Sequence, residues 1–507
     1  MRIAGVSEMV ALEARAIAAG AGEDALMEQA AAGMVRVIHQ QYPHLHRACV
    51  LVGKGHNGGD GLVVARLLAA AGWEVSVHGF GAWEDCRELP QRKLEELRAA
   101  FPEMPVTEDG ADIAWPGADG LLIDAILGVG TSGPLKGAYR ELVETVNALR
   151  DQLFFRTVAL DGPTGLLAEV PAAGERCAVR ADLTITVGYC KEPLIREPLS
   201  GWVGRLEVVP LFAEEPSTEE EVLVGHELAP LLPYRSALSH KNNFGRAVII
   251  GGSEGFLGAP VMAAEAALRS GCGLLNLAVP HALMQTVAAM APHEAMLVAR
   301  WPGGRLAALL ESAAAVAIGP GMGTTREPEA MLRWLLGAST APIVVDADAL
   351  TCLSRHLELL REAKAPVVLT PHPGEMSRLL GDAPVDPERR AEIARDFAEE
   401  HRVILVLKGT RTVVAAPGRP VCFNTTGNSG LSTGGSGDTL TGIITALLAQ
   451  KLTAWDAARL GVWLHGHAAD LALQRLGSEE ALLPRDVTAA LGPAIAGLRL
   501  KAQEALF

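Results

Sequence analysis

Short, largely apolar runs alternate along this chain with longer stretches whose apolar residues recur at helical spacing. In the front half the runs are Ala48–Val52, Trp73–His78, Leu121–Ile123, Val158–Leu160 and Ala181–Val187. In the rear half they are Arg246–Ile250, Ala315–Gly319, Ile343–Val345, Val367–Thr370 and Val403–Leu407. Runs this short, apolar on both faces and closed by Gly, Pro or Asp, predict buried parallel strands. Between them the 3.6-residue period predicts helices. Residues 7–38 carry Leu12, Ala16, Met27, Ala31 and Val35 on apolar faces, and Val63, Val64, Leu67 and Leu68 line the next helix. Further helices are predicted at 137–149, from about Val261 to Arg269, and from Leu440 through Leu448. The alternation is that of layered α/β domains.

The rhythm breaks once. From Phe212 to Glu227 the chain becomes acidic and turn-prone and offers little to a core. At 507 residues two or three domains are expected. The reading is a first domain at 1–212, an acidic linker at 213–225 and a second domain at 226–507. A hydrophobic fraction of 49% supports large cores, and a formal charge of −15 argues against nucleic acid or an anionic membrane as partner. No apolar run reaches transmembrane length, and the first residues lack a signal-peptide core. Seven cysteines, none in a C-x-x-C pair, read as thiols of a reducing compartment. A cytoplasmic protein is expected. His39, His44 and His46 near Cys49 lack ligand-like spacing and read as solvated.

Chemistry gathers where strands end. The stretch Asn424–Gly442 is built of small residues around one carboxylate, Asp438, and feeds directly into a helix. Gly434, Gly435 and Gly437 let a phosphate approach free backbone N–H groups at a helix N-terminus. A carboxylate repels such a ligand, so Asp438 points to proton transfer on a hydroxyl nucleophile. In front, Gly53-Lys-Gly55-His56-Asn57-Gly58-Gly59-Asp60-Gly61 follows a strand and spells G-x-G-x-x-G. The strand after it ends without the acidic residue that grips a ribose, which counts against a dehydrogenase. A second phosphate-type loop spans Gly128, Val129, Gly130, Thr131, Ser132, Gly133 and Pro134. Asn57, Asp60, Asp124, Asp161 and Thr164 all fall at the carboxyl ends of strands, where ligands of open α/β sheets gather. No G-x-x-x-x-G-K-[ST] occurs, so a P-loop NTPase is excluded.

In combination these motifs resemble the bifunctional NAD(P)H-hydrate repair enzymes, which fuse an NAD(P)HX epimerase domain to an ADP-dependent NAD(P)HX dehydratase domain. The resemblance covers nearly the whole chain. It is carried by Gly-Lys-Gly-x-Asn-Gly-Gly-Asp-Gly and Asp161-x-Pro-[Ser/Thr]-Gly in front. Behind, it is carried by Gly251-Gly-Ser-x-Gly-Phe-x-Gly-Ala-Pro, Pro371-His-Pro-Gly-Glu, Lys408-Gly and Thr433-Gly-Gly-x-Gly-Asp438. It implies two three-layer αβα Rossmann-like domains, the C-terminal one ribokinase-like. His56, Asn57, Gly58, Gly59 and Asp60, with the Gly128–Pro134 loop, would hold the hydrated dinucleotide in the first domain. Asp161 would act there in proton transfer, and Asn57, Asp124 and Thr164 would ligate K+. In the second domain Ala259, Gly323, His372 and Asp438 would contact the hydrate. Lys408, Gly409, Thr410, Arg411, Thr412 and Gly437 would hold the nucleotide, and Asp438 would be the acid/base. Mg2+ is expected with ADP as phosphoryl donor, and a homo-oligomer is expected. His56 stands where the family usually has Asn, Thr164 where Ser is commoner, and Ser436 and Thr439 replace Thr and Val.

The implied chemistry is coherent. A hydroxyl on C6 of the hydrated nicotinamide leaves poorly, and phosphorylation would make it leave well. If the dehydratase takes one C6 epimer, an epimerase makes the rest of the pool repairable. Two other readings share parts of the pattern. A ribokinase-like small-molecule kinase with a nucleotide-binding scaffold in front would keep Asp438 but release a phosphorylated product. A purely scaffolding first domain would have no need of Asn57, Asp124 and Asp161.

Overall fold

A computed structural model describes residues 1–108, 110, 112–130, 133–166, 177–211, 214–301 and 304–504, with 501–504 in backbone only. Thr131 and Ser132, both expected at the first site, and residues 212 and 213 at the expected boundary lie outside the described residues. The chain divides into two compact units, Arg2–Glu219 and Glu220–Phe507 joined by Met1.

In the first unit seven strands form one parallel sheet. Their spatial order is Val106–Thr107, Glu74–Gly79, Arg47–Val52, Leu121–Ala125, Arg156–Leu160, Leu183–Val187, Arg205–Val209. The central strands are buried throughout, with Val50, Ile123, Val158, Ala159 and Leu160 at 0% exposure, which is why they read as continuous apolar runs. The chain leaves Arg47–Val52 toward one edge and Leu121–Ala125 toward the other. The crevice at the carboxyl ends of these neighbours is the switch point where doubly wound sheets bind ligands.

The second unit holds a ten-stranded sheet in which Arg246–Ile250 and Ala315–Ile318 are the corresponding diverging neighbours. Its pairings are parallel except where Val413–Ala415 runs antiparallel between Ile404–Leu407 and Val421–Phe423. The helix Ser436–Ala449 lies in the core, with Ile443, Ile444 and Ala446 at 0% exposure. It packs closely on the helix Gly258–Arg269: a Cβ at Gly442 would sit 2.1 Å from the Ala263 carbonyl oxygen. Among its buried hydroxyls, Thr445 Oγ1 donates to the Thr441 carbonyl one turn back at 2.6 Å.

Two expectations change in detail. The acidic stretch is not a free linker. Glu214 pairs with Arg15 at 3.0 Å, and Glu8 accepts from the Ser217 N–H and hydroxyl at 2.8 and 2.9 Å. Glu220–Val222 then forms an edge strand beside Val421–Phe423. Composition missed this because side chains at an edge can stay polar while the backbone pairs. His39 is not solvated either. It ends the helix Glu23–Gln41 and stacks on Trp73 with centroids 5.6 Å apart, while His46 meets the same ring edge-on.

Candidate functional sites

The first site is built on the turn from Arg47–Val52 into the helix His56–Ala70. The turn is tight: a Cβ at Gly58 would lie 1.9 Å from the Gly53 carbonyl oxygen, and one at Gly53 would lie 2.0 Å from that of Ile126. Glycine is therefore dictated by backbone packed on backbone. Asn57 falls in the first helical turn, and both its amide atoms are buried with no protein partner. Buried polar groups are nearly always satisfied, so the pair marks a place for a ligand. Asp124, 0% exposed, accepts the Thr164 hydroxyl at 2.6 Å and N–H at 2.8 Å, and the Ile126 N–H at 3.3 Å. Burial still pushes its carboxyl up to about 6. Asp161 follows Arg156–Leu160 with φ 63° and is ion-paired with Lys191. Asp60, one turn beyond Asn57, is raised well above the carboxylate range, first by burial and then by the charge on Asp161. His56 lies at the helix start, 3.5 Å from Glu23. Val129 is buried, and the left-handed Gly133 (φ 79°) precedes Pro134.

The second site gathers around Lys408, which ends the strand Ile404–Leu407. Its ammonium donates to Asp346 at 2.9 Å and lies 3.8 Å from Glu375. Asp346, 1% exposed, takes its second bond from Thr441 Oγ1 at 2.8 Å, tying the charge pair to the helix that carries Asp438. Burial, then the charge of Asp346, push the Asp438 carboxyl up to about 7, with Asp348 and Glu375 adding and Lys408 opposing. That is the range in which a carboxylate works as a base at neutral pH. If the ionised form takes the proton, as the resemblance implies, dehydration is expected to fall as pH drops below about 7. Asp348→Asn removes one negative neighbour and should move that fall to lower pH. A pH profile of kcat/KM unchanged by this substitution would separate the fall from Asp438.

The other expected residues of this unit are held by their own loops and helix starts. Ala259 opens the helix Gly258–Arg269 and lies against Gly321, whose Cβ would be 3.2 Å from its own. The Gly323 N–H donates to Asp348 at 2.8 Å. His372 caps the helix Pro373–Leu379: its Nδ1 accepts from the Gly374 and Glu375 N–H groups at 3.0 and 3.3 Å, and Glu375 accepts from its N–H at 2.8 Å. Burial and Lys408 lower its pKa, so the ring is neutral with its proton on Nε2. Gly409, Thr410, Arg411 and Thr412 form the turn into Val413–Ala415, closed by Thr412 Oγ1 on the Gly409 carbonyl at 3.0 Å. Gly437 faces Lys408, whose Nζ would be 3.1 Å from an added Cβ.

Sequence reading missed three supports. Arg390 is 4% exposed and donates to the carbonyls of Leu407, Lys408 and Arg411 at 3.0, 2.9 and 3.4 Å. Its signal was present, since it shares the apolar face of Ala394, Phe397 and Ala398. Asp346 directly follows the expected strand Ile343–Val345 and carries no role in the sequence reading. Buried His465, on the helix Ala454–Leu476, is lowered to about 4 by burial and by Lys408.

Comparison with known proteins adds the family. A family described as NAD(P)H-hydrate dehydratase matches residues 247–491, and one described as YjeF-related protein N-terminus matches 23–192. A bifunctional NAD(P)H-hydrate repair enzyme of Moorella thermoacetica is 38% identical over 91% of this chain and 90% of its own. The chain belongs to that family. The Escherichia coli member is 34% identical over 90% of this chain and 87% of its own. Among solved structures, an ADP/ATP-dependent NAD(P)H-hydrate dehydratase of Bacillus subtilis, co-crystallised with ATP and Mg2+, is 33% identical with a TM-score of 0.50. It covers 56% of this chain and all of the other. A ribokinase-like superfamily protein of Enterococcus faecalis is 28% identical with the same score, over 57% of this chain and 99% of its own. Both domains are thus of the family's α/β type, the second ribokinase-like, and the chain is an enzyme of hydrate repair.

Proposed function

We propose that the unit Arg2–Glu219 interconverts the R and S forms of NADHX and NADPHX, and that Glu220–Phe507 dehydrates the S form at the expense of ADP. The observation that carries this reading is that each unit has a reactive-type aspartate held among its own charged partners: Asp161 with Lys191, and Asp438 beside Lys408 and Asp346. In the second unit Asp438 takes the proton from the C6 hydroxyl, whose oxygen attacks the terminal phosphorus. The Gly434–Gly437 turn and Lys408 balance the charge of the transferring group. The phosphorylated oxygen then leaves, C5 loses a proton, and the dihydropyridine is restored. Mg2+ fits as a companion of the nucleotide. Among the described residues no three His, Cys, Asp or Glu side chains group to hold a metal alone, and this ion usually binds through substrate phosphates and one or two carboxylates.

In the first unit Asn57, Asp124 and Thr164 offer the oxygen donors that suit a hard monovalent cation, and the unsatisfied Asn57 amide favours one. Bound there, K+ would supply positive charge beside the dinucleotide. Asp124→Asn keeps the shape but loses the charge. It should weaken hydrate binding and abolish any difference between potassium and lithium in epimerisation. Affinity indifferent to both changes would remove the ion. Free thiols at all seven cysteines support a cytoplasmic setting, and among the described residues no helix is long and apolar enough to cross a membrane.

The deciding experiment follows absorbance at 340 nm as ADP, or ATP in parallel, is added to mixed-epimer hydrate. Complete recovery supports both activities; recovery that stalls with one epimer left removes the epimerase; no recovery removes the dehydratase.

A further inference from the structure

Asp161 does not stand alone at its strand end. Besides the ion pair to Asp161 Oδ1, the Lys191 ammonium donates to Thr186 Oγ1 at 2.9 Å and to the Val187 carbonyl at 2.8 Å. Three acceptors use all three protons of an ammonium, and at 4% exposure the side chain is locked. Thr186 Oγ1 also lies 3.4 Å from Asp161 Oδ1. The backbone of Lys191 is fixed too, in a short strand that runs parallel to Ile3–Ala4 with Ala4 opposite Lys191. A buried ammonium is costly unless paired, and this one is paired with the carboxylate given the reactive role. Asp161 Oδ2 lies on the side of Gly128, where a Cβ would be 3.1 Å away.

Asp60 feels the same charges: burial, Asp161 and Glu13 raise its carboxyl, and Lys191 opposes them. The carboxylate in direct contact with the ammonium is Asp161.

The substrate asks for a base held in place. C6 of the hydrated nicotinamide bears both a hydroxyl and ring N1, so its configuration can be exchanged by opening the ring. The hydroxyl loses its proton, C6 and oxygen become a carbonyl, and the C6–N1 bond breaks with its electron pair going to N1, which takes up a proton. Rotation and reclosure on the other face reverse these steps, with no oxidant or reductant consumed. An ionised base and a protonated acid are needed together. We propose that Lys191 is the positioning residue that holds Asp161 as the base aimed at the C6 hydroxyl. The proposal rests on the assignment of Asp161 made above.

The test measures epimer interconversion by the full chain without nucleotide, by chromatography across a range of pH. Lys191→Met should lower kcat by ~10²-fold or more and raise the acidic limb of the profile by ~1–3 pH units, the usual effect of removing an adjacent opposite charge. Lys191→Arg should restore the limb and part of kcat. Thr186→Val removes one anchor and should give a smaller loss, which keeps the idea testable if Lys191→Met does not fold. A lowered rate with an unmoved acidic limb overturns the proposal. Full epimerase rate in Asp161→Asn would instead overturn the assignment beneath it.

Discussion

Asp438→Asn is expected to cut nucleotide-dependent dehydration by ~10²–10⁴-fold and to leave epimer interconversion at the parent rate. The substitution keeps size and hydrogen-bonding capacity but cannot accept the hydroxyl proton. Its cost should appear in kcat rather than KM. Asp438 sits in the first turn of a buried helix beside the Lys408–Asp346 pair, and Asn removes a charge from that crowd without opening a cavity. Folding should therefore survive, and the Tm should stay close to that of the parent. Dehydration near the parent rate would overturn the assignment of the base.

The second large effect is expected far from any motif. Arg390→Met should raise KM for ADP more than ~10-fold and lower the Tm, with epimerisation unchanged. The guanidinium holds three carbonyls at both ends of the Lys408–Thr412 turn. Methionine fills much of the stem's volume but donates nothing. Each buried acceptor left without a donor costs ~1–3 kcal/mol, so about 3 kcal/mol or more is at stake. Gly409→Ala should act alike, since its Cβ would lie 2.5 Å from an Arg390 nitrogen. An unaltered KM for ADP in both variants would free the turn from nucleotide binding.

Residues that sit next to one another along the chain were legible; residues joined only by folding were not. The Gly53–Gly61 and Thr433–Asp438 stretches announce themselves because glycines and a carboxylate occur consecutively after a strand or before a helix. The strands Leu274–Val279 and Ala295–Ala299 were overlooked. The second is only partly buried, so its side chains follow neither the buried run nor a clean alternation. Arg390 and Lys191 were not assigned to a site for a different reason. A charged side chain reads as solvent-facing until its partners, 21 and 30 residues away in the longest cases of Arg411 and Asp161, are in place. Asp346 belongs with them, because its lysine and threonine partners follow it by 62 and 95 residues.

That last separation bears on how the enzyme comes into being during synthesis. The Asp124–Thr164 contact closes over 40 residues, so the polar heart of the first site can form while most of the chain is still being made. Asp346 must wait for Lys408 and then for Thr441. Until both have left the ribosome, burying its carboxylate would leave an unpaired charge inside the sheet, a state that costs several kcal/mol. The nascent second unit is therefore held back from premature collapse at the place where its catalytic helix must later dock. Dehydratase activity should be the last property a growing chain acquires, and the one that certifies that it has been finished.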